Sequence, residues 1–143
     1  MFKFTIITIG KNKEKWLQEA LFEYEKRLKN QAVFNWVLLK DEKSLSKRAL
    51  KEKNKNLVLL DLKGQALDSS AWTKTLQKLL EIHNSKLTFV IGGDTGIPTI
   101  LKAKSVFSLS LSKLTFTHQI CRLILLEQIY RSFEILKNSK YHK

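Results

Sequence analysis

The 143-residue sequence has a single cysteine, Cys121, and a single proline, Pro98. One cysteine cannot form an internal disulfide or a cysteine-rich metal site, and it is typical of a protein in a reducing compartment. No stretch approaches the roughly 20 apolar residues of a membrane-spanning helix. The first ten residues lack the apolar core and cleavage site of a signal peptide. We therefore expect a cytoplasmic protein with no membrane segment and no metal.

Acidic residues are scarce. The chain has 13 Asp and Glu against 26 Lys and Arg, which gives a net charge of +13. The surplus is uneven, since residues 1–56 carry +7, residues 57–96 are neutral and residues 97–143 carry +6. A lysine-rich composition could serve solubility alone. Basic ends around a neutral centre instead favour a polyanion such as RNA at the ends and another ligand at the centre.

Strand and helix patterns alternate along the chain. The predicted strands are Phe2–Ile9, Val33–Leu39, Leu57–Asp61, Leu87–Ile91 and Val106–Leu111, and a turn is predicted at Lys63-Gly64. The predicted helices are Lys13–Leu28, one capped near Asp68, a short one at Pro98, and Gln119 to about Lys137. Ser44–Asn54 is either a short exposed helix or a mobile segment. Alternation predicts one α/β domain over residues 1–143, with a largely parallel sheet and flanking helices.

Three of the five glycines cluster in Ile91-Gly92-Gly93-Asp94-Thr95-Gly96, directly after a predicted buried strand. Ligands of parallel α/β sheets bind at the carboxyl ends of the strands, and glycine lets a ligand approach the backbone closely. The loop lacks the pattern of a Walker or a dinucleotide motif. By itself it indicates either a tight turn or a ligand site.

The C-terminal half carries a more specific pattern. It reads LTFVIGGDTG over residues 87–96, SLSLSKLTFTHQ over 108–119 and LEQIYR over 126–131, and it ends Tyr141-His142-Lys143. These segments resemble the RlmH family of small SPOUT-class RNA methyltransferases, which methylate N3 of a pseudouridine in bacterial 23S rRNA. Phe4–Gly10 and Leu59–Gly64 extend the resemblance weakly toward the start of the chain.

The resemblance implies a C-terminal trefoil knot, a homodimer, and S-adenosylmethionine as the methyl donor. The cofactor-binding residues that it implies are Leu60, Gly92, Leu111, Ser112, Lys113, Leu114, Thr115 and Phe116. Apolar side chains and the backbone groups of bent loops suit such a ligand. Core packing is the alternative for Leu60 and Leu114. The implied substrate is 23S rRNA, free or in the assembled ribosome.

The resemblance also places the tail residues Tyr141 and His142 on the substrate side as catalytic residues. His118 and Arg122, one helical turn apart, are the other candidate catalytic residues, although a histidine near a helix start can instead be a cap or a surface residue. Methyl transfer to N3 requires loss of the N3 proton, either to a base such as His142 or with cations that stabilise the resulting anion. Arg122 would hold a phosphate or a uracil oxygen, or instead pair with Glu127. Arg131 is expected to pair with Glu127, four residues before it. Cys121 is expected to be a small core residue.

The last predicted helix has more apolar residues than one side of a small sheet needs, which favours burial in a homodimer. The residues concerned are Ile120, Leu123, Ile124, Tyr130 and Phe133.

Two other functions fit the sequence. One is a non-catalytic RNA-binding ribosome factor, and the other is a SPOUT enzyme with another target, such as a tRNA ribose.

Overall fold

The computed structural model describes residues 1–52 and 56–142. Its elements are β1 (Phe2–Ile9), α1 (Lys15–Arg27), β2 (Ala32–Leu39), α2 (Glu42–Leu50), β3 (Leu57–Ala66), α3 (Ser69–Ile82), β4 (Lys86–Ile91), α4 (Thr99–Lys102), β5 (Phe107–Ser110) and α5 (His118–Leu136). Within these ranges five strands form one sheet in the order β2-β1-β4-β3-β5, and every pairing is parallel. The predicted α/β class is confirmed. The trefoil knot stays a prediction.

Helices cover both faces of the sheet because the central strands are apolar on both sides. In β3, Val58 and Leu60 join the core beneath α1, α3 and α5, whereas Leu57 and Leu59 join the core beneath α2 and α4. Alternate residues of a strand point to opposite faces, so a continuous apolar run fits a strand buried on both sides.

The segment Ser44–Asn54 is helical over most of its length, since α2 spans Glu42–Leu50. The Asp41 carboxylate caps it by accepting from the Ser44 N–H at 2.8 Å. Asn54 lies outside the described residues. Helix α3 begins where a cap was predicted near Asp68, because the Asp68 carboxylate accepts from the Ala71 N–H at 2.8 Å.

The turn predicted at Lys63-Gly64 is wrong. β3 continues through it to Ala66, with a register shift against β5 between Leu60 and Gln65. Gly64 is needed here for close approach, because a Cβ on it would lie 2.7 Å from the carbonyl carbon and oxygen of Ser108. The glycine therefore lets two backbones pass closely where the sheet reaches its edge strand.

Phe133 is also placed differently from the prediction. It is buried in the core, with its ring stacked on Phe2 at a centroid distance of 5.3 Å, so it is not available to a dimer interface. Ile120, Leu123, Ile124 and Tyr130 remain partly exposed on α5.

We expect Gly64→Ala to destabilise the fold by about 1–3 kcal/mol, because the added methyl group forces the β3 and β5 backbones apart. Chemical denaturation measures the change in the free energy of unfolding. Lys63→Ala is the matched control, since Lys63 is exposed in the same strand. Equal stability of the two variants would mean that the close approach at Gly64 carries no strain.

Candidate functional site

A pocket of about 580 Å³ opens beside the middle of β3 and the carboxyl ends of β4 and β5. Three segments line it, namely residues 60–62 of β3, residues 91–96 at the end of β4, and residues 111, 112 and 114–117 after β5. His118 and Cys121 at the start of α5 complete the wall. Parallel strands bring their carboxyl ends to one edge, so segments far apart in sequence form one site.

The pocket gathers most of the predicted cofactor-binding residues. Leu60, Gly92, Leu111, Ser112, Leu114, Thr115 and Phe116 all line it. Lys113 does not; its side chain is exposed outside the lining. Leu60 is 9% exposed and Leu114 is 71% exposed, so Leu114 is not a core residue. An exposed leucine beside a cavity is a surface that an apolar ligand can cover.

Sequence reasoning missed several lining residues, among them Asp61, Leu62, Ile91, Asp94 and Thr95. The sequence marks these residues as lining residues only by their position, because they lie at or just after the ends of the buried apolar runs in β3 and β4. Asp61 also contacts the Lys102 ammonium at 3.6 Å, and Thr95 donates to the Glu42 carboxylate at 2.7 Å.

The glycine loop closes on itself. Gly93 and Gly96 form an isolated bridge, in which the Gly96 N–H donates to the Gly93 carbonyl at 3.0 Å. A Cβ on Gly92 would collide with the Gly96 carbonyl group and with the Ile97 nitrogen. Gly92 is therefore required by the packing of the loop, whereas the sequence suggested that it makes room for the ligand.

Arg122 is fully buried and does not face the pocket. Its guanidinium donates to the carbonyls of Ile9 at 2.7 Å and Gly10 at 2.9 Å, and also to the Asn12 side chain. Among the described residues no carboxylate pairs with it, and Glu127 pairs with Arg131 at 2.8 Å instead. Burial lowers the pKa of Arg122 to about 10, so it stays charged at neutral pH.

Arg122 also approaches His118, whose Nδ1 lies 3.4 Å from the guanidinium. Burial lowers the pKa of His118, the Arg122 charge lowers it further, and Asp94 opposes both. The positive N-terminal end of α5 also lowers the pKa of His118, because His118 is the first residue of that helix. His118 is thus a neutral imidazole in the pocket wall at neutral pH.

Tyr141 and His142 lie elsewhere. The Tyr141 hydroxyl donates to Glu127 at 3.1 Å, and Arg131 lies 3.1 Å from Nδ1 of His142. Burial raises the pKa of Tyr141, with hydrogen bonds to Tyr24 and Glu127 adding to it. Arg131 lies thirteen positions after His118 on α5, which is a rise of about 20 Å along the helix axis. Within one chain, the four predicted catalytic residues therefore form two separate pairs.

Cys121 lines the pocket and is only partly buried. It packs against the core that underlies α5, and burial raises the pKa of its thiol. A thiol with a raised pKa is a poor nucleophile, which fits the packing role predicted for it.

Over residues 1–52 and 56–142, no group of three or more His, Cys, Asp or Glu side chains is placed to hold a metal ion. No helix in those ranges has the length and apolar character to span a membrane.

Comparison with known proteins agrees over nearly the whole chain. Residues 2–142 match the family described as "Predicted SPOUT methyltransferase". The ribosomal RNA large subunit methyltransferase H of Protochlamydia amoebophila is 49% identical over 143 residues, covering 100% of both chains. The protein of the same name from Clostridium acetobutylicum is 38% identical over 156 residues, covering 97% of this chain and 98% of its own.

We expect Gly92→Ala to weaken binding of S-adenosylmethionine, the ligand that the resemblance implies, by at least about tenfold, because the methyl group forces the glycine loop open. Calorimetric titration measures the affinity. Lys113→Ala is the matched control and should bind within about twofold of the parent, since its side chain lies outside the lining. Parent-like affinity in Gly92→Ala would show that loop closure is not needed for the pocket.

Proposed function

Because this chain belongs to the SPOUT methyltransferases, and within them to the RlmH family, we propose that it transfers a methyl group from S-adenosylmethionine to N3 of a pseudouridine in bacterial 23S rRNA. The observation that carries the proposal is the pocket, because its lining comes largely from segments 87–96 and 108–119, the two segments whose sequences resemble the RlmH family. The methyltransferase unit would be the single domain over residues 1–143, with its C-terminal part knotted.

The pocket fits the methyl donor in size and chemistry. Its volume of about 580 Å³ lies in the range of small-ligand sites. Leu60, Leu114 and Phe116 would cover the faces of the adenine, and the bent backbone of residues 111–117 offers N–H and C=O groups to its edge. Asp61 and Asp94 supply negative charge for a cationic ligand. The bound donor would supply an electrophilic methyl group on a sulfonium.

A polyanionic substrate accounts for the distribution of charge. The lysine-rich segments lie on either side of the neutral stretch 57–96, which contributes two of the three lining segments. Basic side chains attract rRNA phosphates without occupying the pocket itself. A non-catalytic RNA-binding factor would need the charge but would not need the pocket.

A homodimer would unite the two halves of the site. α5 is nineteen residues and about 28 Å long, with His118 at its start. The C-terminal tail, residues 138–142, folds back on the helix and contacts it at Glu127 and Arg131. In a twofold dimer whose axis crosses α5 at about a right angle, α5 and its copy would run antiparallel. The tail of one chain then faces the pocket of the other. The partly exposed Ile120, Leu123 and Ile124 supply apolar surface for that pairing.

In such a site the chain's own residues orient the base and stabilise charge. His118 projects from the pocket wall, and Tyr141 presents an aromatic ring for the target base. The glycine loop and Phe116 would exclude water from the donor. Loss of the N3 proton leaves negative charge on the base, which cationic and N–H groups of the site stabilise.

The purified protein should transfer one methyl group from labelled S-adenosylmethionine to each ribosome taken from a strain that lacks the modification. Mass spectrometry of nuclease fragments should place the methyl group on N3 of a 23S pseudouridine. Tight rRNA binding without transfer would instead indicate a non-catalytic factor. Label on a tRNA ribose would indicate a SPOUT enzyme with another target.

A further inference from the structure

His118 in the pocket wall and His142 in the C-terminal tail each contact an arginine through Nδ1. Arg122 approaches Nδ1 of His118 at 3.4 Å, and Arg131 approaches Nδ1 of His142 at 3.1 Å. A guanidinium has five N–H donors and no acceptor. The ring nitrogen must therefore accept at each contact, and a neutral imidazole that accepts at Nδ1 carries its hydrogen on Nε2.

Neither arginine is free to turn away. Arg122 is fully buried and held by the carbonyls of Ile9 and Gly10. Arg131 is held by two bonds to one carboxylate oxygen of Glu127, at 3.0 Å and 2.8 Å. Each histidine thus contacts a cation whose position is set by other partners, and this fixes the tautomer.

The charges around His118 keep it from acting as a proton acceptor. On α5 it faces the Arg122 cation and the neutral Cys121 thiol, and across the pocket it faces the Asp94 carboxylate. Directly after β1, the backbone of Gly10 also lies close to the His118 ring, since a Cβ on Gly10 would be 3.6 Å from Cε1. His142 contacts the Arg131 cation, which pairs with Glu127, and the Tyr141 phenol donates to the same carboxylate.

We propose that His118 and His142 donate hydrogen bonds from Nε2–H to the carbonyl oxygens of the target base and do not accept the N3 proton. Arg122 and Arg131 are then positioning residues that hold the donor tautomer. This rests on the methyl transfer proposed above, and its His142 half also rests on the dimer. The N3–H bond breaks and the proton goes to water. The N3 electron pair bonds the methyl carbon as the carbon–sulfur bond breaks, its electrons staying on sulfur, and S-adenosylhomocysteine is released.

The chemistry of the base suits two donors. N3 of a pseudouridine lies between two carbonyl groups, so loss of its proton spreads negative charge onto both oxygens. An N–H placed where such charge develops stabilises the transition state, and removing one donor of this kind costs about a hundredfold or more in rate. A histidine base would instead need a free lone pair on Nε2.

Nitrogen-15 NMR of the histidine-labelled full chain tests the tautomers without substrate or activity. His118→Gln and His142→Gln assign the signals, and His83 serves as the internal reference. We expect pyrrole-type Nε2 and pyridine-type Nδ1 signals for His118 at neutral pH, and the same pattern for His142 in the pH range where its ring is found to be unprotonated. A pyridine-type Nε2 in His118 would overturn the proposal.

Substitutions at His118 test its role in transfer. A glutamine amide can place an N–H near the Nε2 position, whereas the shorter asparagine places one near Nδ1, and neither can act as a base. We expect His118→Gln to keep activity within about tenfold of the parent and His118→Asn to lose about a hundredfold. His83→Gln, at the end of α3, is the matched control. Equal loss in the Gln and Asn variants would overturn the donor role.

The pH profile gives a third readout. With water as the proton acceptor, the single-turnover rate should rise about tenfold per pH unit from pH 6 to pH 9, as the N3 anion becomes more abundant. A histidine base would make the rate independent of pH above the pKa of its imidazole, and for His118 burial and the Arg122 charge lower that pKa. That plateau would contradict the proposal. If the parent enzyme methylates another atom, the proposed function fails, whereas the NMR result still decides the tautomers.

Discussion

The buried guanidinium of Arg122 joins the last helix to the end of the first strand. It donates hydrogen bonds to the carbonyls of Ile9 and Gly10, at the end of β1, and thereby fixes the position of the start of α5. The pocket wall formed by residues 111–118 is connected directly to that helix start. A buried cation without a carboxylate partner is costly unless its donors are satisfied, and removing it would leave buried carbonyls unpaired. The pocket wall therefore depends on a charge that lies outside the pocket lining.

The parallel sheet explains why the pocket forms where it does, and α5 explains why the pocket and the tail lie apart within one chain. All strands run in the same direction, so the segments that follow β4 and β5 meet at one edge of the sheet, beside residues 60–62 of β3. The helix then carries the chain about 28 Å away before the tail folds back. The contacts of Tyr141 with Glu127 and of His142 with Arg131 hold the tail against the middle of α5, about 14–20 Å along the helix from His118. A second copy is the simplest way to bring the tail to the pocket.

Local patterns predicted the strands and most of the pocket because they depend on neighbouring residues. The apolar run Leu57–Leu60 needs no partner to indicate a buried strand, and the position of Gly92 after β4 already indicated a loop at a strand end. Contacts distant in sequence were not predictable in this way. Gly64 is explained by the backbone of Ser108, and the burial of Arg122 is explained by carbonyl groups that no side-chain pattern marks. Lys113 lies in the right segment but its side chain points outside the lining, which only the path of the backbone decides.

Mixed dimers test the central claim, that each active site combines the pocket of one chain with the tail of the other. One chain carries Gly92→Ala and keeps its tail, and the other lacks residues 141–143 but keeps its pocket. At an S-adenosylmethionine concentration that saturates the parent but lies well below the dissociation constant of the Gly92→Ala chain, each variant alone should be strongly impaired. The heterodimer, purified through two affinity tags, should recover about half of the parent methyl-transfer rate because one complete site is restored. An inactive heterodimer of normal stability would contradict the account, since it would show that pocket and tail must belong to the same chain.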